Sequence, residues 1–141
     1  MIFMVVQTQG LLKILEEVVY SHSRYLDRCK KLIRSTVHGD TSRLSKGFKG
    51  LARESRRLEE VLVMLSNGDP NLFAIEDLET LLAVVFYVYE VSVEEERDLW
   101  SKYAKVVQGE NVEEHYARLD RMKVFAQKIL EFAEGNNSSN R

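Results

Sequence analysis

The stretch IEDLETLLAVVFYVYEVSVEEERDLWSKYAKVV, residues 75–107, decides the fold. Its apolar and half-polar positions Ile75, Leu78, Leu82, Val85, Tyr89, Glu96, Trp100, Tyr103 and Val107 recur at three-four spacing, which lines one stripe of a helix. Unbroken, a helix this long spans about 50 Å, and its stripe passes near Ser92 and Val93. The apolar run inside it, Leu81 to Tyr89, is nine residues flanked by Thr80 and Glu90. A membrane-spanning helix needs about 20. The run therefore reads as the buried part of a helix in a soluble protein.

Three more stripes lie outside this stretch. The first uses Leu15, Val18, His22, Tyr25, Cys29 and Leu32, and the second Leu44, Phe48, Leu51, Ser55, Leu58, Leu62 and Leu65. The fourth uses Val112, Tyr116, Leu119, Met122, Ala126, Ile129 and Ala133, with Phe125 and Phe132 beside it. No segment of period two competes. Punctuation separates the stripes: His38-Gly39-Asp40-Thr41, Asn67-Gly68-Asp69-Pro70 and Gln108-Gly109-Glu110-Asn111. Asp69 ahead of Pro70 suits a cap and first helical position, with Asn71 as an alternative start, and Asn111 with Glu114 forms a capping-box pattern. Short connections make an antiparallel up-down-up-down four-helix bundle, all-α and with a long third helix, the simplest architecture. One domain over residues 1–135 is expected, followed by a disordered Asn/Ser tail at 136–141.

Charge is segregated along the chain. Arg24 to Arg57 carries eleven Lys/Arg against three Asp/Glu, whereas Leu58 to Asp98 carries Arg97 alone against eleven acids. A formal total of −2 conceals that division. Phosphate backbone is attracted by such a cationic hairpin without sequence-specific contacts. Arg43, Lys46, Lys49, Arg53, Arg56 and Arg57 are the leading nucleic-acid-binding candidates, with Lys30, Lys31 and Arg34 on the preceding helix. Tyr25 and Phe48 sit on apolar stripes, so backbone contact is expected in place of base stacking. The same cations also suit an ordinary solvated face, or pairing with the acidic third helix. A protein-interaction or self-assembly module, in which basic and acidic regions of copies dock, is the competing reading, and a homo-oligomer or other protein subunits are its partners.

His22, Ser55 and Glu96 each interrupt an apolar stripe at similar distances from the turns. They are expected to share one buried polar layer that fixes register, or to form a proton-sensitive spot. Gly47 and Gly50, two glycines inside the second stripe, point to close helix approach or to a helix starting near Leu51. Cys29 reads as a small buried apolar group, and Trp100, Tyr103, Tyr87 and Tyr89 as core aromatics.

Catalytic machinery is not expected. Bundle di-metal sites use Glu-x-x-His pairs, but Val19, Ser35 and Val112 stand three before His22, His38 and His115. One cysteine builds neither a structural zinc site nor an intramolecular disulfide, and no phosphate-binding or nucleophile motif is present. No metal and no cofactor is implied. The lone cysteine and the lack of a signal-peptide pattern fit a cytoplasmic, non-enzymatic protein without a membrane segment.

Overall fold

A computed structural model of the chain describes the backbone of residues 2–35, 41–69, 73–107 and 111–139, and the side chains of residues 10–131 within those ranges. Every regular element among them is helical. These are α1 (Ile2–Ser35), α2 (Thr41–Ser66), α3 (Ile75–Tyr87), a π turn (Val88–Ser92), α4 (Val93–Val106) and α5 (Val112–Ser139). The π turn joins α3 and α4 into one rod, but α1, at 34 residues, is the longest single helix.

Most of the stripe positions become the core, although Ile75, which opens the third stripe, is 73% exposed. Leu15, Val18, Cys29, Leu44, Phe48, Leu58, Leu62, Val85, Trp100, Leu119, Met122 and Ala126 are all buried. α1 packs on α2 and on the α3–α4 rod, and α5 packs on the same two partners. The rod and α2 thus sit across the bundle from each other and meet through large side chains: the Phe48 ring lies 4.9 Å from Trp100 and 4.5 Å from Tyr103.

The π turn answers a register problem. Val93 N–H donates to Val88 O, five residues back. The wider turn absorbs one extra residue, so Val88 and Val93 both face the core and are fully buried. An α-helix would rotate one of them outward.

α2 begins at Thr41, so Gly47 and Gly50 are interior to it and the later start at Leu51 is not taken. Close approach explains both. A Cβ on Gly47 would lie 2.6 Å from Leu32 Cδ1, and one on Gly50 2.3 Å from Tyr25 Cε1.

Two boundaries and one burial depart from the sequence expectations. α3 starts at Ile75 behind Ala74, whose backbone is extended and whose side chain cannot cap, so Asp69 is not its N-cap; Pro70 and the alternative start Asn71 lie outside the described residues. Helical backbone runs past Gly135 to Ser139, since one glycine costs a helix only about 1 kcal/mol and no proline follows. Asn140 and Arg141 lie outside the described residues. Tyr87 is not core: it sits on the outward face of α3, 40% exposed, while Trp100 and Tyr103 are buried. Residues 36–40 and 108–110, which hold two of the expected turns, also lie outside the description. No helix among the described residues is long and apolar enough to cross a membrane.

Candidate nucleic-acid interface

α2 places its cations by periodicity. With apolar residues recurring at Leu44, Leu51, Leu58 and Leu62, the positions 43, 46, 49, 53, 56 and 57 fall on the opposite arc, and all six side chains are exposed. They form a ridge roughly 20 Å long. Arg53 and Arg57 are held back by the buried carboxylate of Glu54, at 3.6 and 3.0 Å. Arg53 also donates to Tyr25 Oη at 2.8 Å, with its guanidinium 5.6 Å from that ring's centre. Arg43, Lys46, Lys49 and Arg56 have no ion pair among the described residues.

Across the Gly47 and Gly50 contact, α1 continues the positive face. A shallow groove of about 290 Å³ is lined by Ser21, Arg24, Tyr25 and Arg28. Tyr25 is half-buried and faces this groove, so its place on an apolar stripe overstated its burial. Arg24 and Arg28 are exposed beside it, and Arg24 lies 5.9 Å from the exposed Tyr20 ring. Both arginines lie within the cationic stretch that the sequence marks, Arg24 to Arg57, but neither stood among the nine named candidates. Their three-residue spacing from the groove-facing Ser21 and Tyr25 is the signal that marks them. Of the remaining candidates, Lys31 is exposed with no ion pair among the described residues, and Arg34 Nε donates to Lys30 O at 3.4 Å. Lys30 alone among the nine pairs with the acidic rod, reaching Glu95 at 3.1 Å.

Most basic residues beyond the hairpin are already matched. Lys102 pairs with Asp98 at 2.9 Å, Arg121 grips Glu59 at 2.8 and 3.3 Å, and Arg97 and Lys123 pair with Asp120 and Glu94. Among the described residues, most of the unpaired positive charge therefore lies on α1 and α2, with Lys105 of α4 an exposed exception.

Beneath this face lies a buried polar layer. His22 Nε2 is 2.6 Å from Glu96 Oε1, and because an ionised carboxylate only accepts, that nitrogen carries the proton. Glu96 Oε2 accepts from Trp100 Nε1 at 2.9 Å and from Arg118 Nη2 at 3.0 Å. Arg118 Nε donates to Ser55 Oγ at 2.9 Å, and Ser55 lies 3.7 Å from Met122 Sδ. Burial alone would push the Glu96 carboxyl up. Donation and positive charge from His22, the Arg118 guanidinium and the Trp100 indole outweigh it, holding the group below 4.5.

Arg118 was missed as a member of this layer. It is 4% exposed, and its position three after His115 and four before Met122 carries it to the edge of the fourth stripe. His115 is buried with its ring stacked on Trp100 at 3.6 Å. His22 Nδ1 and Ser92 Oγ have no hydrogen-bond partner among the described residues. The layer is enclosed, so its chemistry is structural: four helices supply donors and acceptors that satisfy one carboxylate.

Cys29 is fully buried, and burial, opposed by the Arg28 charge and aided by the smaller effect of the Glu96 carboxylate, raises its thiol to about 12. It is no nucleophile at neutral pH. Among the described residues no group of three or more His, Cys, Asp or Glu side chains is placed to hold a metal ion. Comparison with protein families, with curated proteins and with solved structures finds no match to this chain.

Proposed function

We propose that this chain is a non-catalytic helical subunit that grips the phosphate backbone of nucleic acid through the α1–α2 hairpin, within a larger assembly. One observation carries the reading: Lys31, Arg43, Lys46, Lys49 and Arg56 are exposed cations with no ion pair among the described residues, flanked by the Arg24 and Arg28 groove. Cations without partners are the groups that release counterions when a phosphate arrives. The hairpin offers the bases little to stack on: Phe48 is buried, Tyr25 is held by Arg53, and the exposed Tyr20 ring lies off to one side, beside Arg24. Backbone contact, indifferent to sequence, follows from that.

The proposal takes the architecture to be a single-domain up-down-up-down bundle. Leu32 opposite Gly47 and Tyr25 opposite Gly50 and Arg53 support an antiparallel α1–α2 pair. Arg97 with Asp120, Glu94 with Lys123 and Trp100 on His115 support the same for α4 and α5. A buried lone thiol suits the reducing cytoplasm that such a subunit would occupy.

The experiment is a salt-dependent shift assay with single- and double-stranded nucleic acid, on the wild type and on the triple variant Arg43→Glu, Lys46→Glu, Lys49→Glu. All three side chains are exposed, so far-UV circular dichroism stays unchanged while binding is abolished. Undiminished binding by the triple variant, or no binding by the wild type to any nucleic acid at low salt, sinks the proposal.

A further inference from the structure

α3 is a helix face in search of a partner. Its outward ridge, Glu76, Glu79, Ala83, Phe86, Tyr87 and Glu90, is exposed throughout, with Phe86 56% and Tyr87 40% accessible. No ion pair among the described residues engages Glu76, Glu79 or Glu90. Acidic residues in a first turn complement the helix dipole, which accounts for Glu76. It does not account for Glu79 and Glu90 further along, nor for two large aromatic side chains left in water between them.

We infer that this ridge docks a second copy of the chain, seated on the cationic face of that copy's α1–α2 hairpin. The inference rests on the same open face as the proposed function. Complementarity identifies the occupant. The α3 ridge presents carboxylate, aromatic pair, carboxylate over roughly 20 Å, and the α2 ridge presents unpaired Lys and Arg over a similar length. Guanidinium groups satisfy both halves of that pattern, bridging carboxylates bidentately and covering aromatic faces. Within one molecule the two ridges cannot meet, because α2 and α3 are each flanked by α1 and α5 and lie across the bundle. Docking is therefore head to tail, and a contact between different faces of identical copies extends into an open chain unless its rotation happens to close a ring. Nucleic acid and the neighbouring α3 compete for one surface, so each displaces the other.

Sedimentation velocity over a range of protein concentrations tests this, at about 0.1 M and about 1 M salt, where the screening length falls from about 10 Å to about 3 Å. The expected result is a weight-average mass that at least roughly doubles with concentration at low salt and returns to monomer at high salt. Glu79→Lys with Glu90→Lys abolishes the growth but leaves nucleic-acid binding intact. Lys46→Glu with Lys49→Glu abolishes both. Mixing the two double variants restores growth, since the reversed α3 ridge of one now fits the reversed α2 ridge of the other. A wild type that stays monomeric at low salt overturns the inference. So does association that persists in the α3 variant, or a mixture that stays monomeric; none of these results touches the nucleic-acid readout.

Discussion

Two glycines three residues apart in α2 look alike in sequence, yet their surroundings assign them opposite tolerances. The Cβ of Gly47→Ala meets the end of the Leu32 side chain, a half-buried group that can rotate away. Alanine is favoured over glycine in a helix by about 1 kcal/mol, so this substitution is neutral to slightly stabilising. Gly50→Ala instead meets the face of the Tyr25 ring at 2.3, 2.9 and 3.0 Å, and that ring is fastened to Arg53 through its hydroxyl. Overpacking of this kind costs about 1–3 kcal/mol, which exceeds the propensity gain. Urea midpoints of the two variants separate accordingly, Gly50→Ala lower than wild type and Gly47→Ala at or above it. Glu96 gives the second prediction at this scale. Its carboxyl sits below 4.5 when folded, so its ionisation stabilises the protein above that pH and the contribution is lost as pH falls through the folded value. Glu96→Gln leaves Arg118 buried without its counter-charge and loses about 3–5 kcal/mol at neutral pH. The gap between wild type and variant in urea midpoint therefore narrows as pH drops from 7 to below 4.5. A gap that is constant across that range would remove the ionised carboxylate from the account.

At the scale of the element, the α2 ridge makes a quantitative demand. Binding to duplex DNA weakens with salt by a slope of about 0.9 per phosphate engaged, and to single strands by about 0.7. If Arg43, Lys46 and Lys49 each meet one phosphate, neutralising them as Arg43→Gln, Lys46→Gln and Lys49→Gln lowers the slope for duplex by about 2–3. A slope that does not change places the phosphates elsewhere on the surface. Helices were legible because three-four periodicity is imposed by burial, and each stripe that the chain spells is a stripe that packs. The π turn was not legible: nothing at Val88 to Ser92 is unusual by composition, and the wider turn arises only because Val88 and Val93 must both reach the core. Likewise His22, Ser55 and Glu96 announce themselves by interrupting apolar stripes, and they meet in one layer. Arg118 does not, because a long side chain can start beside a stripe and still deliver its guanidinium beneath it. Arg24 and Arg28 escaped for the complementary reason, as their role comes from the groove that a neighbouring helix creates.

For the whole molecule, the buried layer bears on whether the cationic hairpin can behave independently of the rod. His22 from α1, Ser55 from α2, Glu96 and Trp100 from α4, and Arg118 from α5 join one hydrogen-bonded network, so withdrawing any of these helices strands polar groups in the interior. Each stranded donor or acceptor costs about 1–3 kcal/mol, and a stranded charge more, against a total stability of about 5–15 kcal/mol. Detaching α1 and α2 would consume most of that margin while also exposing Leu15, Phe48, Leu58 and Leu62. Partial unfolding is thus nearly as unfavourable as complete unfolding, and the chain should unfold in one step. Trp100 is the only tryptophan and donates directly to Glu96, so its fluorescence reports the layer, whereas far-UV circular dichroism reports every helix. The two urea transitions superimpose in the wild type. Arg118→Met, which leaves the Glu96 charge without its guanidinium, moves both midpoints downward together by an amount equivalent to about 3–5 kcal/mol. A dichroism transition that runs ahead of the fluorescence would mean that a helix leaves while the layer stands, and the hairpin would then have to be treated as a unit that binds its partner on its own terms.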